Sequence, residues 1–225
     1  MRLFNRPVRA VVLFAGAVPL ALGGCASMNK TEKGAAIGAA GGAVVGGVIG
    51  NRTGSTARGA IIGAVVGGAA GALIGRQMDK QAGELAENIP GAKVERVGEG
   101  IQVTFESGLL FPFDSDVPKA EARRNLDELA RSLKKYPDSE LLIVGHTDNV
   151  GSDDYNMGLS ERRARSAGDH LVSQGISRSR LRTVGRGEVE PVAANTDETG
   201  REQNRRVEVA IFASEEYRER LSGSD

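Results

Sequence analysis

Two sets of residues in this sequence are of types that do chemistry. One is Cys25, the single thiol among 225 residues. The other is a group of imidazoles and carboxylates, His146, Asp148, Asp153, Asp154 and His170, of the kind that ligate zinc or move protons. A catalytic zinc needs three convergent protein ligands and an open fourth position. Two histidines in segments expected to face apart supply that poorly, so a metal-dependent hydrolase is a remote alternative. One Cys excludes an intramolecular disulfide framework and a Cys-based zinc site. Gly-x-Ser-x-Gly, the phosphate loop and the dinucleotide fingerprint are absent. What remains is charge that could grip a charged ligand: Asp148, then Arg162, Arg163 and Arg165. Taken alone, Asp148 serves equally well as a turn residue before Gly151. Arg163 serves equally well as part of a solvated helix face.

Cys25 has an informative context. Arg2, Arg6 and Arg9 precede an uncharged stretch of 13 residues, Ala10 to Leu22. That is the layout of a secretory signal, here residues 1–24. The stretch is too short to cross a ~30 Å hydrocarbon core, and Pro19 would interrupt it. Leu22-Gly23-Gly24-Cys25 resembles a bacterial lipobox, which implies that Cys25 is lipidated with palmitate-type chains and becomes the new N-terminus. Residues 25–33 are then a lipidated tether. Losing residues 1–24 removes three Arg and no acid from a neutral chain, leaving −3. Each buried acyl CH₂ contributes about 0.8 kcal/mol, so several chains anchor stably. Lipoproteins retained in the inner membrane commonly carry Asp after the Cys. Ala26 stands there, which implies the outer membrane. No cofactor is expected beyond the covalent lipid.

Lys+Arg and Asp+Glu are both 29, so the basic excess of a nucleic-acid binder is missing. Trp is absent and aromatics are 4%, which argues against a stacking platform. Glycine is concentrated instead, with 14 in the 42 positions of 34–75. Gly34, Gly38, Gly42, Gly46 and Gly50 are spaced by four, and so are Gly59, Gly63, Gly67, Gly71 and Gly75. That period places each set on one helical stripe. Glycine costs about 1 kcal/mol per site in a helix, and close helix–helix approach in an apolar medium would offset it. The pattern predicts a glycine-zipper helical hairpin over 34–78, embedded in or lying against a membrane and able to self-associate. Arg76 to Asn88 would carry its second helix out of the membrane, ending at Pro90-Gly91. Residues 79–97 are the extension and linker.

A different pattern follows. Residues 94–97 and 101–105 read as a hairpin around Gly98-Glu99-Gly100. Pro118 to Tyr136 reads as a helix with Ala122, Leu126, Leu129, Ala130 and Leu133 on one face. Leu141 to Val144 is a buried strand, Asn156 to Gln174 a second helix ending at Gly175, and Leu181 to Val184 another strand. Val207, Val209 and Ile211 alternate with Arg206, Glu208 and Ala210, predicting a last strand with one buried face. The order gives a two-layer α/β sandwich over 98–213, followed by a charged tail, 214–225.

The ends of these elements carry a resemblance. Val144-Gly145-His146-Thr147-Asp148 precedes Gly151, Asn156 and Leu159-Ser160-Glu161-Arg162-Arg163-Ala164. Gly185, Pro191, Gly200-Arg201 and Asn204-Arg205-Arg206-Val207-Glu208 follow. This segment resembles the OmpA C-terminal-like, peptidoglycan-associated domain, with its βαβαβ sandwich. With the zipper and lipobox, the whole chain resembles the YiaD-like outer-membrane lipoproteins. Phe113-Asp114-Ser115 matches the family, while Asp116-Val117-Pro118 replaces its usual Leu-x-Pro. The resemblance implies non-covalent binding of peptidoglycan at the diaminopimelate of the stem peptide, from the periplasmic side of the outer membrane. It implies that Asp148 and Arg163 clamp the two poles of that group. Asn156 and Leu159 would shape the pocket and Phe113 and Asp114 its rim. Arg205 and Arg206 would either touch the ligand or hold the last strand. The implied role is to tether the outer membrane to the wall. A zipper-built membrane oligomer and an envelope-machine scaffold are the alternatives.

Overall fold

A computed structural model describes residues 54–112 and 114–223. The signal segment, Cys25, the first glycine stretch and Phe113 lie outside the described residues. Helices α1 (Thr56–Gly63) and α2 (Gly68–Asn88) precede strands β1 (Ala92–Val97) and β2 (Gly100–Glu106). A short α3 (Ser107–Leu110) and a longer α4 (Ala120–Lys135) lead into β3 (Ser139–Gly145). Next come α5 (Asp153–Ser173), β4 (Leu181–Gly185), α6 (Glu198–Asn204), β5 (Arg206–Ala213) and α7 (Glu215–Ser222). The strands form one sheet in the order β1-β2-β5-β3-β4. All neighbours are antiparallel except β3 and β4, which are parallel across the α5 crossover.

The body is the expected α/β sandwich. The α4 stripe Ala122, Leu126, Leu129, Ala130 and Leu133 is buried, as are Ala164, Ala167 and Leu171 of α5. These side chains meet Ile101, Val103 and Phe105 of β2, Leu141 and Ile143 of β3, and Val207, Val209 and Ile211 of β5. The two periodicities of the sequence, 3.6 and 2, thus face each other across one core. Gly175, at φ +88°, follows the C-cap of α5 in the left-handed conformation that stops it.

The second glycine stretch departs from expectation in two ways. A continuous helix over 59–75 is interrupted, because α1 ends at Gly63 and α2 begins at Gly68. Gly67 and Gly68 sit at φ +76° and +63°, a region that favours glycine. Glu99, in the β1–β2 turn, accepts hydrogen bonds from the Val66 and Gly67 N–H groups at 2.9 and 2.8 Å. A carboxylate there satisfies orphan donors at the start of α2. A Cβ on Gly71 would run into that same carboxylate. These glycines therefore make room for a turn of the domain itself.

The stretch also packs on the sheet. Ala57 and Ile61 of α1 lie against Leu142, Val144 and Ala210 on the face away from the main core. Ile74, Met78, Leu85 and Ile89 join the main core on the other face. β1 pairs with β2 along its length, from Ala92 opposite Phe105 to Val97 opposite Gly100. Residues 56–97, expected as zipper and linker ahead of the domain, are part of its folded body. Among the described residues no helix is long and apolar enough to cross a membrane.

Covering the outer face changes β5. The expectation of one buried face is corrected, since Arg206 and Glu208 are each 2% exposed. Burying them requires pairing. Arg206 Nε donates to Glu208 Oε1 at 2.7 Å, and the Ser55 hydroxyl donates to Glu208 Oε2 at 2.9 Å. Beside them, Arg186 Nε donates to Thr56 Oγ1 at 2.7 Å, and the Thr56 N–H donates to Glu190 at 3.1 Å. His146 is buried in the same cluster, and neither ring nitrogen has a hydrogen-bond partner among the described residues. Its Nε2 lies 3.9 Å from Glu208, whose oxygens Arg206 and Ser55 already occupy. Burial, reinforced by the charges of Arg206 and Arg186, pushes the His146 pKa well below 6.5.

Two outcomes follow from this packing. Ile61→Ala should lower stability in urea unfolding by about 2–5 kcal/mol, the usual cost of a truncated core side chain. An α1 that did not belong to the folded body would register no change. His146 stays neutral when folded, while in the unfolded chain it takes up a proton below about pH 6.5. Stability is therefore fully present above that pH and falls as pH drops through it, by at most about 1.4 kcal/mol per unit. Urea curves between pH 7.5 and 5 should show this slope, and His146→Leu should lessen it.

Candidate functional site

The site forms where β3 and β4 end side by side, with Gly145 in register with Gly185. Helix α5 crosses these ends closely. A Cβ on Gly145 would strike the Ser160 carbonyl, and one on Gly185 would strike Glu161 and Ser160. Ser160 Oγ accepts from the Gly187 N–H at 2.9 Å, and the Thr147 N–H donates to the Gly187 carbonyl at 2.8 Å. The loop after β3 is thus locked to the loop after β4 and to α5. Within it Asp148 is 7% exposed. Asp148 Oδ1 accepts from the Val150 N–H at 3.0 Å, and Oδ2 accepts from Arg205 Nη1 at 2.6 Å. The first bond is the turn role expected of an Asp; the second is a charge-assisted bond from another element. Gly151, at φ +111°, then turns the chain, and Ser152 caps α5 through the Tyr155 N–H.

Arg163 projects from α5 and is 5% exposed. Its Nε donates to the Ser115 carbonyl at 3.0 Å, and its guanidinium lies over the Phe111 ring, 5.5 Å from the centroid. Its two Nη groups take no hydrogen-bond partner among the described residues. Burial pulls the Arg163 pKa down; Tyr155, Asp114 and Asp148 oppose that, while Arg205 adds to it. At Arg205 burial also pulls downward, but hydrogen bonds to Asp148 and Glu198 hold the pKa above its ordinary value. Arg205 Nη2 donates to Glu198 Oε1 at 2.6 Å, which lowers the Glu198 pKa. Of the two guanidiniums, Arg205 is hydrogen-bonded to two carboxylates, whereas Arg163, near Asp114 and Asp148, is hydrogen-bonded to none among the described residues.

The sequence-predicted residues do not all come together. Asp148, Arg163, Arg205 and Asp114 come together, with Asp114 at φ +53° accepting a hydrogen bond from the Tyr155 hydroxyl. Asn156 and Leu159 are buried beneath them. Asn156 Nδ2 donates to the Asp148 carbonyl at 3.3 Å and to Glu188 at 2.7 Å, so it holds the loop. Arg206 lies on the other face of the sheet with Glu208, and of its two expected roles the structure places it in the structural one. Phe113 and Cys25 lie outside the described residues. His146 belongs to the Arg206 cluster, and His170 bonds Asp127 at 2.7 Å between α5 and α4.

Sequence reasoning missed Phe111, Ser115, Tyr155, Glu188 and Glu198. Phe111 and Ser115 flank the Phe113-Asp114 motif, and that proximity was the available signal. Glu198 could have been found from its i,i+3 spacing to Arg201 on one short helix. Chemically, the site presents a buried cation with open donors beside a carboxylate fixed in position. A ligand carboxylate would satisfy Arg163, and a ligand ammonium a few ångströms away would meet Asp148 or Asp114.

A sheet of this order, with a strand-end loop holding fixed charges against α5, defines the OmpA-like class of domains. The structure of the cell wall anchor of the T6SS from Pseudomonas aeruginosa shares the fold at 33% identity and a TM-score of 0.54. The match covers 60% of this chain and 97% of that one. Residues 110–205 of the chain match the OmpA family, and residues 4–79 match the YMGG-like Gly-zipper. The "Probable lipoprotein YiaD" of Escherichia coli K12 is 37% identical over 136 residues, 60% of this chain and 62% of that protein. The "Peptidoglycan-binding protein ArfA" of Mycobacterium tuberculosis is 43% identical over 86 residues, 38% of this chain and 26% of that protein.

The close crossing at Gly145 sets where Arg163 stands. Gly145→Ala should therefore cost about 1–3 kcal/mol, because the opposing atom is backbone and cannot swing away. Gly83→Ala, with open space around its Cβ position, should leave stability unchanged or raise it by up to about 1 kcal/mol. Paired thermal melts of the two variants measure the difference.

Proposed function

We propose that this chain is an outer-membrane lipoprotein whose periplasmic OmpA-like domain binds peptidoglycan non-covalently and so tethers the outer membrane to the wall. What carries the reading is Arg163, a buried guanidinium with open Nη donors next to the fixed carboxylate of Asp148. The diaminopimelate side chain of a stem peptide has a carboxylate and an ammonium on one carbon. Arg163 takes the carboxylate bidentately, through a planar fork that Lys lacks. Asp148 takes the ammonium, sharing its Oδ2 with Arg205, while Asp114 and Tyr155 border the site. The relatives support this: one is named a peptidoglycan-binding protein and another a cell wall anchor. Acylation at Cys25 supplies the membrane end, as the likeness to a probable lipoprotein suggests. A tethered domain meets the wall at high effective concentration, so modest single-site affinity suffices.

Co-sedimentation with purified sacculi tests the site. Hydrogen bonds to charged groups contribute about 1.5–3 kcal/mol each, so Arg163→Ala and Asp148→Ala should each weaken binding about tenfold or more. Arg163→Lys keeps the charge and should still bind poorly. His170→Ala breaks only the Asp127 contact and should bind like wild type. Circular dichroism checks that each variant folds. If Asp148→Ala and Arg163→Ala are folded and bind normally, the site is elsewhere.

A further inference from the structure

We infer that the pole of the domain opposite Asp148 and Arg163 is a contact surface for a membrane carrying anionic lipid headgroups. Strand register defines the two poles. Gly145 pairs with Val207 and Glu106 with Arg206 at the pole that holds the Asp148 loop. Ser139 pairs with Ala213 and Ile101 with Ile211 at the other, next to the β1–β2 turn. The poles are separated by the length of these strands, about 20 Å at 3.3 Å per residue.

At the far pole the chain crosses from α1 on one face to α2 on the other, between Gly63 and Gly68. Here large apolar side chains face solvent: Ile62 is 38% exposed, Val65 45% and Leu73 50%. Gly68, Ala69 and Ala72 are exposed among them, and residues 59–75 carry no charge. Glu99, in the adjacent turn, is bonded inward to the Val66 and Gly67 N–H groups. Beyond Leu73 the same α2 stripe continues at helical spacing to Arg76 and Lys80. Both are exposed, and neither forms an ion pair within 4 Å with a described residue. An apolar patch running into exposed cations along one stripe is the layout of a helix that lies in a lipid interface. A protein partner would need some 800 Å² on each side. A few side chains around a chain crossing do not supply that, whereas shallow insertion between headgroups does not require it.

The inference does not rest on the wall-binding site, and its test leaves that site untouched. The full chain carrying Cys25→Ser has no thiol, so single cysteines can report position. Val65→Cys and Leu73→Cys, labelled with an environment-sensitive fluorophore, are mixed with phosphatidylethanolamine vesicles with and without phosphatidylglycerol. Val189→Cys, exposed in the loop after β4, serves as the control position. A blue shift and intensity gain at 65 and 73 but not at 189, stronger with phosphatidylglycerol, is the expected result. Leu73→Glu should lower vesicle affinity about tenfold, and Arg76→Gln with Lys80→Gln should abolish the dependence on phosphatidylglycerol. The inference is overturned if the chain ignores vesicles. It is equally overturned if the chain floats with them while labels at 65 and 73 stay water-like, which would assign contact to residues before 54. A shift that grows with protein concentration without lipid would instead identify a second copy as the occupant, and would also overturn it.

Discussion

The junction between α6 and β5 divides the molecule. Arg205 caps α6, Arg206 is the first residue of β5, and their side chains leave the junction toward different partners. Arg205 reaches the Asp148 carboxylate and Glu198; Arg206 enters the interior beside Glu208. β5 is the central strand, paired with β2 on one side and β3 on the other, so its register cannot slip without moving both neighbours. One arginine therefore becomes part of the exposed site. The other becomes a buried charge that demands its own partner, and removing one side of such a pair generally costs about 3–5 kcal/mol.

That buried charge explains the position of α1. A sheet with Arg206, Glu208 and His146 on its outer face needs either water or a polar cover there. Ser55 and Thr56, at the start of α1, supply hydroxyls to Glu208 and Glu190 while Ala57 and Ile61 cover Leu142, Val144 and Ala210. One short helix satisfies polar and apolar demands together. Its sequence lies inside the glycine-zipper match, residues 4–79, yet its contacts are with strands of the OmpA-like domain. The family boundary and the cooperative packing unit do not coincide, because packing follows buried area rather than repeat period.

Much of the site was legible. Asp148 and Arg163 were singled out by the family resemblance, since taken alone each fits a turn or a solvated helix face equally well. Asp114 was legible through its motif. What was not legible is how the charges divide: Asp148 satisfied by Arg205 and by its own turn, Arg163 left with open donors over Phe111. Phe111 and Ser115 lie 52 and 48 positions before Arg163 in the sequence, and only packing of their loop against α5 makes them neighbours. Asn156 was assigned to the pocket by the resemblance, but its role in tying the Asp148 carbonyl to Glu188 needed the fold of a second loop.

The sequence by itself determined the elements of the domain. Apolar residues at period 3.6 and period 2, stopped by Gly and Pro, are local properties, and α4, α5, β3 and β5 fall where those patterns place them. Its evenly spaced glycines predicted close approach; within 59–75 that holds at Gly71, whereas Gly67 and Gly68 have open space and serve a turn at positive φ. Only the tertiary structure decided which glycine does which, and what approaches. The partner of Gly71 is the Glu99 side chain, and the bulk of 56–88 packs on a sheet formed by residues further along the chain. A small-residue stripe specifies that something comes near, but van der Waals contact carries no label for its partner. Long-range register, set by β5, is what brings that partner into place.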